Sequence, residues 1–465
     1  MAKKEKKIVS VITMPLVTEK WQEDILFKRF EVCRKIYNAM LGQMLKKYRM
    51  MTDLKEYKAA SSVINAAYKE ANGNDRELKR IKSTPEYKEA TETQNRLRME
   101  YGFTEFQFGK ASLRYSEYFR DIIPTKLAQM SIGKPLWAAF EMMLFNKGEG
   151  KRPAPHFKKY DSFSSVVTDG RSGIRIVDEN DKTILKMDPA KRYWVYVTTK
   201  KSKNLKMPIK VDKKNLYLLE MMDRDIHTVR IIRKKVRGNY RYLVQLTVSG
   251  VPAEKLDRDG NRKHSVGYDK EVGVYINTRS VTLATKEGTR VIDLRNPNKY
   301  EDRIADIQRY MDNSKRATNP GNYNPDGTAK KKTRWNFSKG YQKARAEKAN
   351  LERVMAEQRK IRANMIANEI IALGTNIVVN DYSFAKAAER KKEDEKTKRG
   401  TCASKKKAGK AISENAPSMI ITILDNKLKA LGYNGVVKER VEELEPQKPG
   451  LNEFYALQML AKCCG

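Results

Sequence analysis

The amino-acid sequence predicts a multidomain α+β protein, and three changes of pattern along its 465 residues predict the order of its parts. Residues 18–150 carry apolar side chains at helical spacing, and residues 151–262 alternate apolar and polar side chains as half-buried strands do. Residues 263–465 then alternate between strand and helix patterns. A chain of this length accommodates about two to four domains.

The β-rich parts lie on both sides of the helical segment. A β-branched run, Ile8–Ile12, follows a cluster of lysines near the first residue and predicts a strand. The stretch Tyr240–Gly250 alternates in the same way, as antiparallel strands of a barrel or sandwich do. We therefore expect residues 1–17 and 151–262 to form one β-barrel, interrupted by residues 18–150.

The helical segment carries aromatic side chains as well as many Lys, Arg and Glu residues. Leu26, Phe30 and Tyr37 recur at helical spacing near its start. Other aromatic residues could stack on nucleic-acid bases or fill the helical core, and we expect the core role. These residues are Tyr101, Phe106, Phe108, Tyr115 and Tyr118.

Net charge is the feature that most restricts the function. The chain has 95 Lys and Arg residues against 57 Asp and Glu residues, a formal net charge of +38. So many like charges repel one another in a compact body, and a polyanion such as nucleic acid offsets the repulsion. The composition therefore indicates a nucleic-acid-binding protein. No apolar run reaches membrane-spanning length, so we expect no membrane partner and a cytoplasmic, nucleoid-associated location in a prokaryote.

The cysteines and histidines are few and dispersed. None of the four cysteines belongs to a C-x-x-C pair, which argues against a zinc ribbon and against a disulfide framework. The three histidines lie far apart in sequence and offer no Ser-His or Cys-His catalytic set. We therefore expect no zinc.

Three elements of residues 263–465 carry the candidate chemistry. The first, Ser265–Gly288, is predicted to be a strand containing Asp269, then a turn and a second strand. The second is a long amphipathic helix that leads into a buried strand ending at Asn380 and Asp381. The third is a C-terminal helix that carries Glu453 near its start.

A carboxylate inside an otherwise apolar strand is costly unless it serves a purpose. In RNase H-like nucleases, carboxylates from separate strands converge on Mg²⁺ ions that activate water, so Asp269 and Glu453 are candidate Mg²⁺ ligands. Each also has a structural alternative. Asp269 could be a hydrogen-bonded residue at a strand end, and Asn380 a polar strand cap. Glu453 could be an acid stabilised by the helix dipole, the role that we favour for it.

The order of these elements resembles the RuvC domain of TnpB nucleases and of the miniature type V-F CRISPR effectors. Gly267-Tyr268-Asp269 resembles the family strand G-[IY]-D-x-G-V, "NIVVNDYSF" resembles I-V-x-E-[DN]-L, and "LNEFYALQMLAK" resembles the final D-x-N-A-A-x-N-I helix. Upstream, "RPAPHFKKYDSFSS" resembles the entry to the family's barrel, "NYRYLVQLTVSG" its last barrel strand and "FEVCRKIYNAML" its first recognition helix.

The resemblance implies an arrangement of domains and a division of labour. Residues 1–17 and 151–262 would form a wedge-like β-barrel, residues 18–150 a helical recognition domain, and residues 263–465 an RNase H-like, RuvC-type α/β domain. Guide RNA would pair with one DNA strand, and the protein would hold the heteroduplex by its backbone. Guide RNA and double-stranded target DNA are therefore the expected partners.

Departures from the family pattern predict a degenerate RuvC centre. Asn380 stands where the family has a catalytic Glu, and the adjacent Asp381 should point to the opposite face of the strand. Glu453 stands where Asp belongs, and its extra methylene displaces the carboxylate from the strict Mg²⁺ octahedron. The family's zinc ribbon has no counterpart in the cysteine-free stretch Val436–Tyr455. We expect the remnant pocket of Asp269, Asn380 and Glu453 to bind Mg²⁺ weakly, if at all, and not to support catalysis.

Basic segments are candidate phosphate contacts. The stretch Asn313–Thr333, rich in Asn, Pro, Gly and Lys, and the charge run Glu389–Lys410 are expected to be loops. Each could be a flexible surface loop, a basic contact to nucleic acid, or a cover over the cleft. The candidate phosphate-binding residues are Lys158, Lys159, Arg390, Lys391, Lys392, Lys405, Lys406 and Lys407.

Taken together, the patterns favour an RNA-guided, sequence-specific DNA-binding protein that is not a nuclease. It would act on transcription by occupying its target or by recruiting a partner such as a sigma factor with RNA polymerase. Two alternatives stay open. One is an active Mg²⁺-dependent, RNA-guided endonuclease that uses Asp269, Asp381 and Glu453. The other is a basic RNA-binding protein without guided DNA recognition.

Overall fold

The structure is a computed structural model that describes residues 8–71, 74–145, 154–198, 204–257, 259–295, 300–331, 333–389, 408–441 and 451–463. The chain divides into two compact units. The first consists of residues 1–235 and 240–253, and the second of residues 236–239 and 254–465. None of the helices within the described ranges is long and apolar enough to cross a membrane.

The first unit begins with a strand and continues with helices, as the sequence predicts. β1 (Val9–Pro15) buries every second side chain. α1 (Lys20–Asp53) starts where the side-chain oxygen of Gln22 accepts a hydrogen bond from the Glu19 amide at 3.0 Å. A π-helical turn joins the last two helices of the segment. The described helices after α1 are α2 (Lys55–Ala71), α3 (Asp75–Lys82), α4 (Pro85–Glu100), α5 (Glu105–Tyr115), α6 (Thr125–Ala128) and α7 (Lys134–Leu144).

Two antiparallel sheets complete the first unit. Their strands beyond β1 are β2 (Ser165–Thr168), β3 (Ile174–Val177), β4 (Thr183–Ile184), β5 (Trp194–Val197), β6 (Leu205–Pro208), β7 (Ile226–Val236) and β8 (Asn239–Ser249). A short helix, α8 (Leu216–Met222), precedes β7. One sheet has the order β1-β8-β7-β2 and the other the order β4-β3-β5-β6. The predicted change from helices to antiparallel strands is thus confirmed, and β1 pairs along its whole length with β8.

A buried charge lies in the core that the helices share with both sheets. The side chain of Arg233, on β7, is 2% exposed, and its Nη2 lies 3.0 Å from Oδ1 of Asp161. The guanidinium also lies over the rings of Phe27, Phe30 and Tyr240. Because an unpaired buried charge is strongly destabilising, this cluster ties α1 and the segment before β2 to the β7–β8 hairpin.

The second unit is built on a five-stranded sheet. β9 (Glu271–Ile276), β10 (Ser280–Thr285) and β11 (Gly288–Asp293) form an antiparallel meander. β12 (Asn376–Asn380) runs parallel to β9, and β13 (Val437–Glu439) runs parallel to β12. The order across the sheet is β11-β10-β9-β12-β13.

Helices cover both faces of this sheet. The described helices are α9 (Glu301–Thr318), α10 (Lys339–Leu373), α11 (Phe384–Ala387), α12 (Gly409–Asn415), α13 (Pro417–Ala430) and α14 (Leu451–Ala461). Apolar residues of α10 and α13 form one core with the strands, and α14 packs on the opposite face of β9 and β10. At Gly273 of β9 an added Cβ would overlap backbone atoms of Ala456 and Leu460, so only glycine allows α14 to approach this closely. The predicted loop Asn313–Thr333 starts later than expected, because α9 continues to Thr318.

Candidate functional site

The candidate site lies at the edge of the five-stranded sheet where β9 and β12 end. The two strands are parallel, so their carboxyl ends meet at the same edge. Side chains alternate along a strand, and Val272 and Val274 point into the core with α10 and α13. Gly273 and Tyr275 therefore point to the face that α14 covers. The same alternation on β12 brings Asn380 to that face.

Asn380 is engaged in two hydrogen bonds to the backbone of β9. Its Oδ1 accepts from the Ile276 amide at 2.7 Å, and its Nδ2 donates to the Ile276 carbonyl at 3.1 Å. A carboxylate could accept the first bond but could not donate the second. The residue is 4% exposed, so both bonds form away from water. Asn380 thus caps the two strands, whereas the following Asp381 is exposed and its amide donates to the Glu439 carbonyl at 2.7 Å.

Tyr275 is the neighbour of Asn380 on β9, as the parallel register of the two strands requires. Its ring packs against Tyr455 of α14, with the ring centroids 5.0 Å apart. Burial, together with the nearby phenols of Tyr455 and Tyr382, raises the pKa of Tyr275 above its ordinary value. Its phenol is therefore neutral at physiological pH, and this position carries no negative charge.

The first turn of α14 supplies the third element of the edge. Asn277, which follows β9, donates from Nδ2 to Oδ1 of Asn452 at 3.3 Å. Glu453 is the next residue of the same turn and is half-buried. A carboxylate in the first turn of a helix is stabilised by the helix dipole. Within this turn, Asn452 is thus the residue whose side chain is hydrogen-bonded to the sheet edge.

Asp269 lies at the other end of the sheet, and the prediction that it lies within a strand is wrong. β9 begins at Glu271, and Asp269 is in the preceding turn with a φ of 56°, a left-handed conformation that Asp tolerates. Its amide donates to Oγ1 of Thr375 at 2.9 Å, and its carboxylate accepts from the hydroxyl of Tyr433 at 3.1 Å. Thr375 precedes β12 and Asn380 ends it, roughly 16 Å apart along an extended strand. The structure therefore does not bring Asp269 to Asn380.

The side chains at this edge do not fit Mg²⁺, the metal that the resemblance implies. Tyr275, Asn380 and Asn452 are neutral, whereas proteins hold Mg²⁺ through carboxylates. The carboxylates next to them in sequence are the exposed Asp381 and the half-buried Glu453. Glu439 of β13, opposite Asn380, forms an ion pair with Lys462 at 3.7 Å. In the part of the chain that the structure describes, no three His, Cys, Asp or Glu side chains form a group that could hold a metal.

Tyr275 and Asn452 are the residues that the sequence reasoning missed. The pattern G-[IY]-D-x-G-V directed attention to Gly267-Tyr268-Asp269, which precedes the strand. The alternating buried apolar side chains Val272, Val274 and Ile276 are the signal that marks the strand itself, and Tyr275 lies between two of them.

The two lysines predicted to bind phosphate, Lys158 and Lys159, differ in their surroundings. Nζ of Lys158 lies 4.9 Å from the ring centroid of Tyr37 and 5.2 Å from that of Phe163, and burial lowers the pKa of Lys158 below its ordinary value. Its backbone exchanges two hydrogen bonds of 2.8 Å with the Asn38 side chain. Lys159 is exposed. Lys158 therefore has a structural role in the first unit, and Lys159 stays a candidate phosphate contact.

Charge reversal is expected to separate these roles. Lys158→Glu places a carboxylate against two aromatic faces, so we expect a lower melting temperature. Lys159→Glu should leave the melting temperature unchanged and reduce the salt dependence of nucleic-acid binding by about one unit in the log–log slope. Thermal unfolding and titrations between low and physiological salt measure both effects. An unchanged slope for Lys159→Glu would show that Lys159 is ordinary solvated surface.

The aromatic predictions for the helical segment are confirmed in part. Phe108 is fully buried, and Tyr101 and Tyr115 are half-buried against the core. The core role is wrong for Phe106 and Tyr118, which are 75% and 95% exposed. Phe106 lies on the outer face of α5, and Tyr118 lies in a short turn after that helix.

The candidate residues of the charge run fall outside the described residues. They are Arg390, Lys391, Lys392, Lys405, Lys406 and Lys407.

Comparisons with known proteins point to one group of structures. Neither a protein-family model nor a curated protein sequence matches the chain. The chain is similar to a Cas12f1–sgRNA–target DNA complex, with 10% identity, coverage of 94% of this chain and 89% of that chain, and a TM-score of 0.43. A CRISPR-Cas12f ternary complex has the same identity and coverages with a TM-score of 0.24. A Cas12i1 R-loop complex after target DNA cleavage has 10% identity, coverage of 90% of this chain and 56% of that chain, and a TM-score of 0.25. The solved structures to which the chain is similar are thus Cas12 effector complexes.

Proposed function

We propose that this chain is an RNA-guided, sequence-specific DNA-binding protein that does not cleave its target. Guide RNA would read the DNA by base pairing, and the protein would hold the RNA–DNA heteroduplex by its backbone. The absence of cleavage rests on one observation: where β9 and β12 end, Tyr275 and Asn380 are neutral, and no three acidic, His or Cys side chains of the described residues form a group that could hold a metal.

The charge of the chain supports the nucleic-acid part of the proposal. A formal net charge of +38 provides many more Lys and Arg side chains than the ion pairs within the protein require. Each phosphate that a cation neutralises releases a counterion, so the excess converts into salt-dependent affinity for RNA and DNA. The exposed Phe106 and Tyr118 add aromatic faces in the first unit on which unpaired bases can stack.

The order of elements supports the guided part. In the second unit a three-stranded meander is followed by two strands parallel to its first strand, an order that supports an RNase H-like domain. We therefore propose a RuvC-type domain at residues 263–465. The strand at residues 1–17 with the strands of residues 151–262 would form the wedge-like barrel, and residues 18–150 the recognition domain.

The edge of the sheet supports binding without cutting. Phosphodiester hydrolysis by metal ions needs negative ligands that flank the ions. Here the amide of Asn380 is committed to the backbone of Ile276, and Tyr275 is neutral and packed against Tyr455. Asp269 lies at the opposite end of β12. A protein of this kind would act by occupying its target, either blocking transcription or recruiting a partner such as a sigma factor with RNA polymerase.

The proposal is tested by the RNA dependence of DNA binding. The purified protein should carry one abundant, structured RNA, whose sequence defines the matched DNA. With that RNA bound, the affinity for matched duplex should exceed that for scrambled duplex by about 10³-fold or more at physiological salt. After nuclease removal of the RNA, the two affinities should be equal. Equal affinities with the RNA bound would contradict guiding and favour an RNA-binding protein without DNA recognition.

A further inference from the structure

The connection between α9 and α10 (residues 319–338) is a strongly basic loop. Together with Lys315 and Arg316 at the end of α9, the described residues of this loop, which are all but residue 332, are here called the basic connector. Antiparallel helices are usually joined by about two to eight residues, so a connection of this length indicates a separate purpose. It carries Lys and Arg residues with a single acidic residue, Asp326. From Asn313 to Lys339, seven Lys and Arg residues and that one Asp give a net charge of +6.

Asparagine side chains hold the backbone of the basic connector. The buried Asn319 donates from Nδ2 to the carbonyls of Lys315 at 2.9 Å and Asn336 at 2.8 Å, and its Oδ1 accepts from the Asn336 amide at 2.8 Å. Asn322 donates to the Arg334 carbonyl at 2.8 Å. These bonds join the start of the loop to its end. The loop is therefore pre-formed, and a ligand that binds it does not have to order it.

The aromatic residues of the basic connector are braced by cations. The rings of Tyr323 and Trp335 meet edge to face, with centroids 5.5 Å apart. Nζ of Lys315 lies 3.8 Å from the centroid of Trp335, and the guanidinium of Arg316 lies over Tyr323 at 4.7 Å. Phe337 stacks on a ring of α10 and is 38% exposed.

The charges of the basic connector have no internal counter-charge. Arg316, Lys330, Lys331 and Arg334 are exposed, and within the described ranges none of them forms an ion pair with a carboxylate. Asp326 instead accepts hydrogen bonds from the amide and hydroxyl of the residue two positions later, which lower its pKa and keep its charge within the turn. Cations that are held close together without a counter-charge repel one another unless an anion binds to them.

From these observations we infer that the basic connector is a pre-formed binding site for a phosphodiester backbone, with Arg316, Lys330, Lys331 and Arg334 as the phosphate contacts. The inference rests on the proposed nucleic-acid function and assigns a location to it. The backbone belongs either to the guide RNA or to the target DNA, which share this chemistry. The exposed face of Phe337 is placed to stack on an unpaired base beside it.

The test compares a variant that loses three cations of the basic connector with a variant that loses three cations far apart in the sequence of the second unit. In the connector variant, Lys330→Gln, Lys331→Gln and Arg334→Gln are combined. In the control variant, three cations elsewhere in the second unit are neutralised: Lys263→Gln, Arg279→Gln and Lys360→Gln. Both variants lose the same charge, and all six side chains are exposed. Affinity and its salt slope are measured in two arms. The RNA arm titrates the protein with the copurified RNA, and the DNA arm titrates the RNA-loaded protein with matched DNA.

The connector variant should lose about 10-fold or more in affinity and about two to three units of salt slope in at least one arm, whereas the control variant should stay within about twofold. Loss in the RNA arm assigns the site to guide RNA, and loss in the DNA arm assigns it to target DNA. Equal losses in both variants, or none in either arm, would overturn the inference. The RNA arm measures RNA binding alone. It therefore still tests the basic connector if the protein does not distinguish matched from scrambled DNA.

A second variant separates shape from charge. Asn319→Ala keeps every cation and removes the amide that joins the two ends of the loop. It should lower the affinity several-fold while leaving the salt slope unchanged, because the phosphate contacts remain but the loop must be ordered on binding. If the Asn319→Ala variant binds nucleic acid with unchanged affinity, the pre-formed shape of the loop contributes nothing to binding.

Discussion

Gly273→Ala is expected to displace the C-terminal helix from the sheet of the second unit. The new Cβ would overlap the carbonyl oxygen of Ala456 and the amide nitrogen of Leu460. Both are backbone atoms, so no side-chain rotation relieves the overlap and α14 must move. Overpacking of a core costs about 1–3 kcal/mol, and a rigid backbone contact belongs at the upper end of that range. The movement of α14 would also break the contact of Tyr275 with Tyr455.

Urea unfolding measures the loss of stability for Gly273→Ala, and amide hydrogen exchange over residues 451–463 measures the displacement of α14. Gly321→Ala is the matched control in the same unit, because an added Cβ there meets no atom within 4 Å. The control should leave both the unfolding midpoint and the exchange unchanged. Unaltered exchange of α14 in Gly273→Ala would contradict the packing described for this face of the sheet.

The second large effect concerns Asn380. Asn380→Glu is expected to destabilise the second unit and to create no metal site. The carboxylate would lose the bond donated to the Ile276 carbonyl and would place a negative charge beside that oxygen in a position that is 4% exposed. An unsatisfied buried polar group costs about 1–3 kcal/mol, and more when it is charged. Asp269 lies at the opposite end of β12 and is too far away to share an ion with it.

Asp381→Asn is the control for Asn380→Glu, because Asp381 is exposed and donates only through its backbone amide. Urea unfolding compares the stabilities, and electron paramagnetic resonance of Mn²⁺ counts bound ions in each variant. The account predicts a lower unfolding midpoint and no added Mn²⁺ for Asn380→Glu. A stable Asn380→Glu that binds one Mn²⁺ ion, and loses it on Asp269→Ala, would show that the edge is one substitution away from a metal centre.

The periodicity of the sequence predicted most of the element types because it reflects local geometry. The β-branched run Ile8–Ile12 predicted a strand, which the structure has at Val9–Pro15, and the apolar run before Asn380 predicted a buried strand that ends there. The long amphipathic helix predicted before that strand is α10, which ends at Gly374. Not all of its apolar side chains face the core, since Ile361 and Met365 are 61% and 64% exposed.

The details of the candidate site depend on register and on long-range contacts, which periodicity does not contain. Asp269 was predicted to lie in a strand because Gly267-Tyr268-Asp269 matches the start of the family pattern. The structure instead has Asp269 in a turn, and β9 starts two residues later. Lys158 was predicted to be a phosphate contact, but its neighbour Tyr37 comes from α1, far away in sequence. A contact between residues so far apart in sequence forms only when the chain folds.

The most direct test of the central claim measures binding and cleavage in one reaction. RNA-loaded protein is incubated with end-labelled, matched duplex DNA in Mg²⁺ and then in Mn²⁺, and each sample is run on a native and on a denaturing gel. The account predicts that the native gel shows the DNA fully bound and that the denaturing gel shows it intact, with Asp269→Ala and Glu453→Gln behaving as the unchanged protein does. Cleavage products that disappear on Asp269→Ala or Glu453→Gln would contradict the account and identify an active nuclease.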